Sequence, residues 1–286
     1  MRFGWKPDSG RIPRKLLAAA VNTTGTPVGW ADLRSHAPRV LSQNACGSCV
    51  GHGAATGIAT AADAAGACLF GLDADDLTVA CSPRDLYAGA RCTDRMLAGL
   101  PNTTPLSDDG TEVLSVVQYA REWGVRAIGP MPMRAVDPVS GDAYDADSDC
   151  VPSNVNDEPT FAELQTDSAN LLPEPHQIVS SGPQRVTEYC LALDAKHPIV
   201  FGTLIDSNFL RYTGGTVIGA QNRRDPDGGG HCMVLLGYRT DPATGKRIFI
   251  GRNSWGTGWG NSGDFECSEE FVKQIDEAFA IVGRAS

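Results

Sequence analysis

Gln43-Asn44-Ala45-Cys46-Gly47-Ser48-Cys49 decides how this chain is read, because Gly230-His231 and Arg252-Asn253-Ser254-Trp255-Gly256 stand far downstream to complete it. A thiol, an imidazole and a side-chain amide in that chain order are the parts of a cysteine nucleophile site. A cysteine is mostly thiol at neutral pH, so such a site needs groups that hold the thiolate. Ser48 as the N-cap of a helix beginning at Cys49 would place the sulfur at the positive end of the helix dipole. That effect is worth about 0.3 to 1 kcal/mol, less than one pKa unit at about 1.36 kcal/mol, so pairing with a histidinium must supply the rest.

Cys46 to Cys49 resembles the Cys-Gly-Ser/Ala-Cys-Trp/Tyr signature of the papain and cathepsin group at every position except Val50. The resemblance continues from Pro198 to Ile218, which reads like that family's strand and turn before the histidine, and from Gly230 to Cys267, which reads like its closing strands. Trp255-Gly256-Thr257-Gly258-Trp259-Gly260 is a close match. Residues of roughly 27 to 130 and 185 to 286 are covered. The chain is thus similar to a papain-like cysteine peptidase. The resemblance implies an α+β fold, with a helical lobe, an antiparallel β-barrel-like lobe and the active site in the cleft between them.

By family position His231 is the partner of Cys49. His52, one helical turn after Cys49, has no orienting Asn beside it and reads as helix packing, while His176 and His197 lie outside any motif. Asn253 would orient the imidazole from its far nitrogen, the role of the third group in a catalytic triad, and Trp255 would shield that hydrogen bond from water. Gln43 matches the family's oxyanion-hole glutamine, working with the Cys49 backbone N–H. Asp109-Gly110-Thr111 aligns with the segment that pairs with an extended substrate, although Thr111 stands where the family commonly has a second glycine. Gly230 and Cys232 flank His231, with Cys232 expected to help line the S2 pocket, and Trp259 resembles the aromatic platform on the leaving-group side. In the family, the cysteine three residues before the nucleophile is bonded to a later loop. That implies a disulfide from Cys46, with Cys92 the best match.

Two departures stand out. Val50 replaces the bulky aromatic after the nucleophile, which bears on helix packing more than on chemistry. His231 lies further from Cys49 than the roughly 130 to 150 residues expected for the group, and an acidic insertion accounts for the excess. That insertion, about 135–180, carries Asp137, Asp142, Asp145, Asp147, Asp149, Asp157, Glu158, Glu163 and Asp167 with no Lys or Arg among them. Its Pro and Ser content and lack of periodicity read as a solvated insertion.

The remaining organisation follows from local patterning. Residues 1–26, with Pro7, Gly10 and Pro13, read as an N-terminal arm or short leader ahead of a peptidase domain over 27–286. Phe3-Gly4-Trp5-Lys6-Pro7-Asp8 resembles the short Gly-Trp-x-Pro-Asp leader of bacterial and viral members of the family. Val50, Ala54, Ile58, Ala62 and Ala65 recur at helical spacing and predict a buried helix, with Gly71 a candidate stop. Ser82-Pro83 starts a second helix by cap and first-turn proline, and Thr111 to Trp123, stopped by Gly124, is a third. These fall in a helical lobe of about 43–130. The β lobe, about 185–286, holds the short apolar runs Ile199 to Ile205, Met233 to Tyr238 and Ile248 to Ile250.

At 286 residues with 42% hydrophobic residues the chain supports a sizeable core, and its net charge of −10 argues against a phosphate-tracking surface, so nucleic acid is not the expected partner. Leu16 to Val21 is too short for a signal core and no stretch approaches a membrane span, so no membrane association is expected. Nine cysteines are many for a cytosolic protein and favour an oxidising or extracellular setting. The sequons at Asn22 and Asn102 carry little weight.

Cys46-Gly47-Ser48-Cys49 is also a C-x-x-C, so a thiol-disulfide oxidoreductase is a rival; it lacks a preceding βαβ pattern and has no use for Asn253 and Trp255. A zinc site from Cys46, Cys49 and His231 lacks a second knuckle. Acyl transfer or deamidation would keep the same triad and the same acyl-enzyme. A silent binding module sits poorly with Cys49, His231, Asn253 and Gln43 together. The reading is a monomeric cysteine endopeptidase acting on peptide or protein substrates, with no cofactor and no metal required.

Overall fold

A computed structural model describes residues 3–7, 25–67, 81–126, 155–159 and 175–283. Among the described residues the first half supplies three α-helices, α1 (Cys49–Ala64), α2 (Pro83–Leu97) and α3 (Val113–Trp123). Gly51, Gly53 and Gly57 lower the intrinsic helix propensity of α1, yet they are what lets it be buried nearly all round. A Cβ on Gly51 would lie 2.4 Å from the Pro83 carbonyl oxygen at the head of α2. On the opposite side, one on Gly53 would lie 3.0 Å from Cys232 Sγ, and one on Gly57 2.5 Å from Val200 Cγ2. The helix is pressed between α2 and the sheet.

Helix boundaries follow their caps. Gly66, at φ +71°, turns the chain, while Gly66 N–H donates to the Asp63 carbonyl and Ala67 N–H to the Ala62 carbonyl, both at 2.9 Å. This paired closure ends α1 well before Gly71, which lies outside the described residues. The Ser82 hydroxyl accepts from Asp85 N–H at 3.1 Å and Pro83 opens α2, as expected. The third helix starts at Val113 rather than Thr111. Its first amides, Val113 N–H and Leu114 N–H, donate to the Glu277 carboxylate at 3.2 and 2.9 Å, so its N-terminus is satisfied by a residue from the far end of the chain.

The strand β1 (Trp30–Asp32) precedes α1, and the second half adds β2 (His176–Gln177), α4 (Gly182–Asp194), β3 (Ile199–Ile205), α5 (Ser207–Leu210), β4 (Val217–Ile218), β5 (Gly229–Thr240), β6 (Arg247–Arg252), β7 (Asp264–Ser268), α6 (Glu269–Lys273) and β8 (Glu277–Ala280). They form a sheet in the order β2-β8-β3-β5-β6-β7-β4, with β1 pairing to β5. Pairing is antiparallel except for β4 with β7, which is parallel, so the sheet is mixed rather than wholly antiparallel. The β region expected from about 185 opens instead on a helix, because Val186, Tyr189, Cys190 and Leu193 share one buried face of α4. In register, β3 places Thr203 opposite His231 and Gly202 opposite Cys232.

Of the acidic stretch, only Val155–Pro159 and the residues from 175 onward are described. Val155 is buried against Cys46 and Tyr87. Arg91 donates to the Val155 carbonyl and, at 2.8 Å, to Asn156 Oδ1, while Arg95 donates to Glu158 at 2.6 and 2.8 Å. This piece of the insertion is docked on α2 through Val155 and the two arginines, while Asn156, Asp157 and Glu158 stay exposed. Asp137, Asp142, Asp145, Asp147, Asp149, Glu163 and Asp167 lie outside the described residues, as do Leu16 to Val21 and the Asn22 sequon. Among the described residues no helix is long and apolar enough to cross a membrane.

Gly51→Ala tests the packing of α1. Forcing a methyl against the Pro83 backbone costs about 1 to 3 kcal/mol, more than the roughly 1 kcal/mol gained in helix propensity. Urea unfolding is expected to show a lower midpoint with unchanged slope.

Candidate active site

Cys49 opens α1, His231 lies near the start of β5, Asn253 follows β6, and Gln43 lies in the loop before α1. Cys49, His231 and Gln43 are fully buried and Asn253 nearly so. The carbonyl oxygen of Asn253 sits 2.7 Å from His231 Nε2 and also accepts Ser254 N–H at 2.8 Å. A carbonyl oxygen only accepts, so Nε2 carries the imidazole proton and Nδ1 carries the lone pair. That Nδ1 is buried and makes no hydrogen bond. Trp255 stacks on the ring at 4.6 Å between centroids and itself meets Phe209 and Trp259 edge-on, so the His231–Asn253 bond lies under an aromatic roof.

Gln43 is held from both ends. Its Oε1 accepts from the Ser254 hydroxyl at 2.7 Å, and its Nε2 donates to the Cys46 carbonyl at 2.8 Å. Gln43 N–H further donates to the Ser254 carbonyl at 2.8 Å, which ties the loop before α1 to the turn after β6. Ser254 was not among the residues singled out from sequence, because a serine inside Asn-Ser-Trp carries no signal of its own.

The Cys49 sulfur receives the backbone N–H groups of Cys232 and of Gly4, which pull its pKa down, but burial outweighs them and pushes the thiol up to about 12. Cys232 follows His231 in the chain, so this contact brings the start of α1 close to the stretch of β5 that carries His231. Burial also lowers His231 to about 4. Thiol and neutral imidazole are therefore the forms present, not the partly exposed thiolate that the motif suggests. Ser48 occupies the cap position of α1, but its hydroxyl makes no capping bond and is buried without a hydrogen-bond partner. His52 holds the Ser48 carbonyl through Nδ1 at 2.9 Å, and burial lowers it too, to about 4.

The expected cleft residues divide. Gly110, at φ +84°, donates its N–H to the Tyr87 hydroxyl at 2.9 Å. That hydroxyl donates to Asp108, which also accepts Gly47 N–H at 2.9 Å, so one tyrosine links the cleft segment to the loop beside Cys49. Thr111 turns its side chain toward α2, where its hydroxyl donates to Asp94 at 2.6 Å, leaving its backbone toward the cleft. Asp109 is exposed and accepts from the Ser107 hydroxyl at 2.5 Å. Cys232 points its sulfur at Gly53 of α1, so its backbone rather than its side chain faces the nucleophile. Trp259 is buried among Phe209, Tyr212, Trp255 and Phe265.

Cys46 and Cys92 form no disulfide with each other. Cys46 packs against Tyr87, and Cys92, five residues further along α2, emerges about 140° around the helix at about 3.6 residues per turn. There it lies against Glu158 and Arg95 instead. Nor does a disulfide join Cys46 to Cys49, as the redox rival requires.

A family model described as papain family cysteine protease matches residues 144–280. That span includes His231 and Asn253 but neither Cys49 nor Gln43. Ananain from Ananas comosus is 31% identical over 91 residues, which make up 32% of this chain and 24% of that protein. The match thus spans about a quarter of ananain's length. Digestive procathepsin L 3 from Tenebrio molitor larval midgut superposes with a TM-score of 0.64 at 18% identity, covering 97% of this chain and 75% of that one. Xylellain, a cysteine protease from Xylella fastidiosa, gives 0.62 at 17% identity, covering 99% and 92%. At such identities these two structures speak for the two-lobe fold alone.

The buried groups also set a pH dependence. His52 and His231 have folded pKa values below their ordinary 6.5, so the unfolded chain binds more protons between that value and about 4. Their stabilisation is complete above 6.5 and is lost as pH falls toward about 4, on the order of a few kcal/mol in all. Cys49 acts at the other end, its contribution complete below 9.0 and lost as pH rises toward about 12. Urea midpoints across acidic pH are expected to fall through the first window, with a shallower fall in His52→Gln.

Proposed function

On a papain-like fold whose second half matches the papain family cysteine protease, we propose that this chain is a cysteine endopeptidase acting through a Cys49 acyl-enzyme. The observation that carries the reading is the single hydrogen bond from His231 to the Asn253 side chain, which puts the proton on Nε2 and leaves the buried Nδ1 as the base that would serve Cys49.

Proton transfer from Cys49 to Nδ1 makes the thiolate, which attacks the carbonyl carbon of a peptide bound along Gly110-Thr111 and Gly230. The oxyanion that forms takes the Cys49 backbone N–H and one N–H of the Gln43 amide, whose orientation Ser254 and the Cys46 carbonyl hold. His231 then returns the proton to the leaving amine, and water, activated by the same imidazole, releases the acyl group. Asn253 accepts from Nε2 in both protonation states, so the ring keeps its direction throughout. The roof of Trp255, Trp259 and Phe209 lowers the local dielectric and strengthens that bond.

Peptide-library cleavage read by mass spectrometry tests this. Cys49→Ala is expected to abolish cleavage, and undiminished hydrolysis by that variant would overturn the assignment. Gln43→Ala is expected to lower turnover by about 10² to 10³. Asn253→Ala should cost less than His231→Ala, since orientation is lost while the base remains.

A further inference from the structure

One face of α2 carries the segment expected to pair with a substrate. Tyr87, Arg91 and Asp94 recur at i, i+4 and i+7, so they line the same side of the helix. All three reach into residues 107–111. Arg91 donates to the Ser107 carbonyl at 2.7 Å, and Asp94 accepts the Thr111 hydroxyl at 2.6 Å. Between them the Tyr87 hydroxyl donates to Asp108 Oδ1 and accepts Gly110 N–H, both at 2.9 Å. Asp94 also accepts the Ser115 hydroxyl, which ties the same face to α3. With its side chain committed to α2, Thr111 presents its backbone to the cleft. There its N–H donates to the Gly4 carbonyl and its carbonyl accepts Lys6 N–H, both at 2.9 Å, bonds that an extended chain of any sequence can make.

The Tyr87 hydroxyl and Asp108 also face the loop that opens on the nucleophile. Asp108 accepts Gly47 N–H through Oδ1 at 2.9 Å and through Oδ2 at 3.1 Å, two residues before Cys49. Only a glycine permits this approach, because a Cβ on Gly47 would lie 3.0 Å from Asp108 Oδ1 and 3.4 Å from the Tyr87 hydroxyl oxygen. A continuous path therefore runs from Gly110 N–H through Tyr87 and Asp108 to Gly47 N–H. Tyr87 is fully buried, and burial raises its pKa above the ordinary phenol value, so the hydroxyl keeps the proton it gives to Asp108. The Arg91 guanidinium lies over the Tyr87 ring at 3.8 Å and holds it from the other side.

We propose that Tyr87 and Asp108 are positioning residues for substrate, locking the backbone of Gly110-Thr111 to the loop before Cys49 so that a chain paired with Thr111 lies in register with the nucleophile. The network stands on its own geometry, while what it positions rests on the peptidase reading. Neither residue touches the reacting atoms. Both act through Gly110 and Gly47, whose amides they fix, and a bond that serves bound substrate and transition state alike is felt in binding rather than in turnover.

The test uses full-length chains and fluorescein-labelled casein, an unfolded polypeptide able to lie extended. Affinity is read by fluorescence anisotropy on the Cys49→Ala background, and KM and kcat are read by hydrolysis with Cys49 intact. Tyr87→Phe removes one oxygen and leaves the ring under Arg91, Asp108→Ala removes the acceptor, and Asp108→Asn keeps an Oδ1 able to accept from both partners. Circular dichroism establishes that each is folded. Tyr87→Phe and Asp108→Ala are each expected to weaken casein binding and raise KM by about tenfold, with kcat changed by less than about threefold. Asp108→Asn is expected to restore most of the affinity, and Tyr87→Phe with Asp108→Ala to cost little more than either alone, since both break one path. Unchanged affinity and KM in the folded variants would overturn the proposal, as would a lower kcat at unchanged KM, the mark of a smaller active fraction. Casein bound by the parent, released by the variants and hydrolysed by none would uphold the positioning role and remove the peptidase reading. Casein neither bound nor hydrolysed by the parent would remove both.

Discussion

Close packing of α1 on β5 is the constraint on which the rest of the structure depends. Gly53 lets Cys232 come within contact of the helix backbone, and Gly57 does the same for Val200 of β3. Once those surfaces meet, the first residue of α1 and the residue beside Cys232 are neighbours, although most of the chain separates them. The proposed nucleophile on a helix end and the proposed base on a strand are thereby held by secondary structure rather than by loops, the arrangement that best preserves a productive geometry. The low helix propensity of a glycine-rich α1 is offset by burial on several sides at once.

Two further ties hold the lobes in register. Gln43 is clasped by Ser254 through side chain and backbone alike, so the loop before α1 and the turn after β6 move together. Glu277 of β8 satisfies the N-terminus of α3 and simultaneously takes the Trp5 indole. A buried carboxylate at this point would be costly unless fully hydrogen-bonded, and three N–H donors from two distant segments meet that need.

Burial explains the electrostatic state of the site. Phe3 to Lys6 lie paired with Thr111 and Gly230, Cys49 and His231 are buried, and burial favours the uncharged form of each. A thiolate-imidazolium pair needs either solvent or a compensating dipole, and the amide hydrogens of Cys232 and Gly4 do not suffice against desolvation. The same side chains, opened to substrate and water, would sit in a more polar environment that favours the charged pair.

Much of this was legible in the residues. The order of Gln43, Cys49, His231 and Asn253, the cap and proline at Ser82-Pro83, the stop at Gly124 and the apolar run Ile199 to Ile205 are local or positional signals, and local chemistry determines them: a hydroxyl caps, a proline opens, a glycine accepts a positive φ. Tertiary structure alone decided the remainder. Helix α3 began two residues late because its donors are met by Glu277, an acid whose role no neighbouring residue announces. Helix α4 formed because the face of Val186, Tyr189, Cys190 and Leu193 had a core to bury against. Cys46 and Cys92 stayed apart because helical rotation turns them to different surroundings, and the acidic piece around Glu158 docked because Arg91 and Arg95 were waiting for it. Most of all, the N-terminal segment could be placed in the cleft only by its partners. Backbone hydrogen bonds from Thr111 and Gly230 recognise any extended chain, and which chain lies there, and in which direction, is a property of three-dimensional proximity that no stretch of sequence carries by itself.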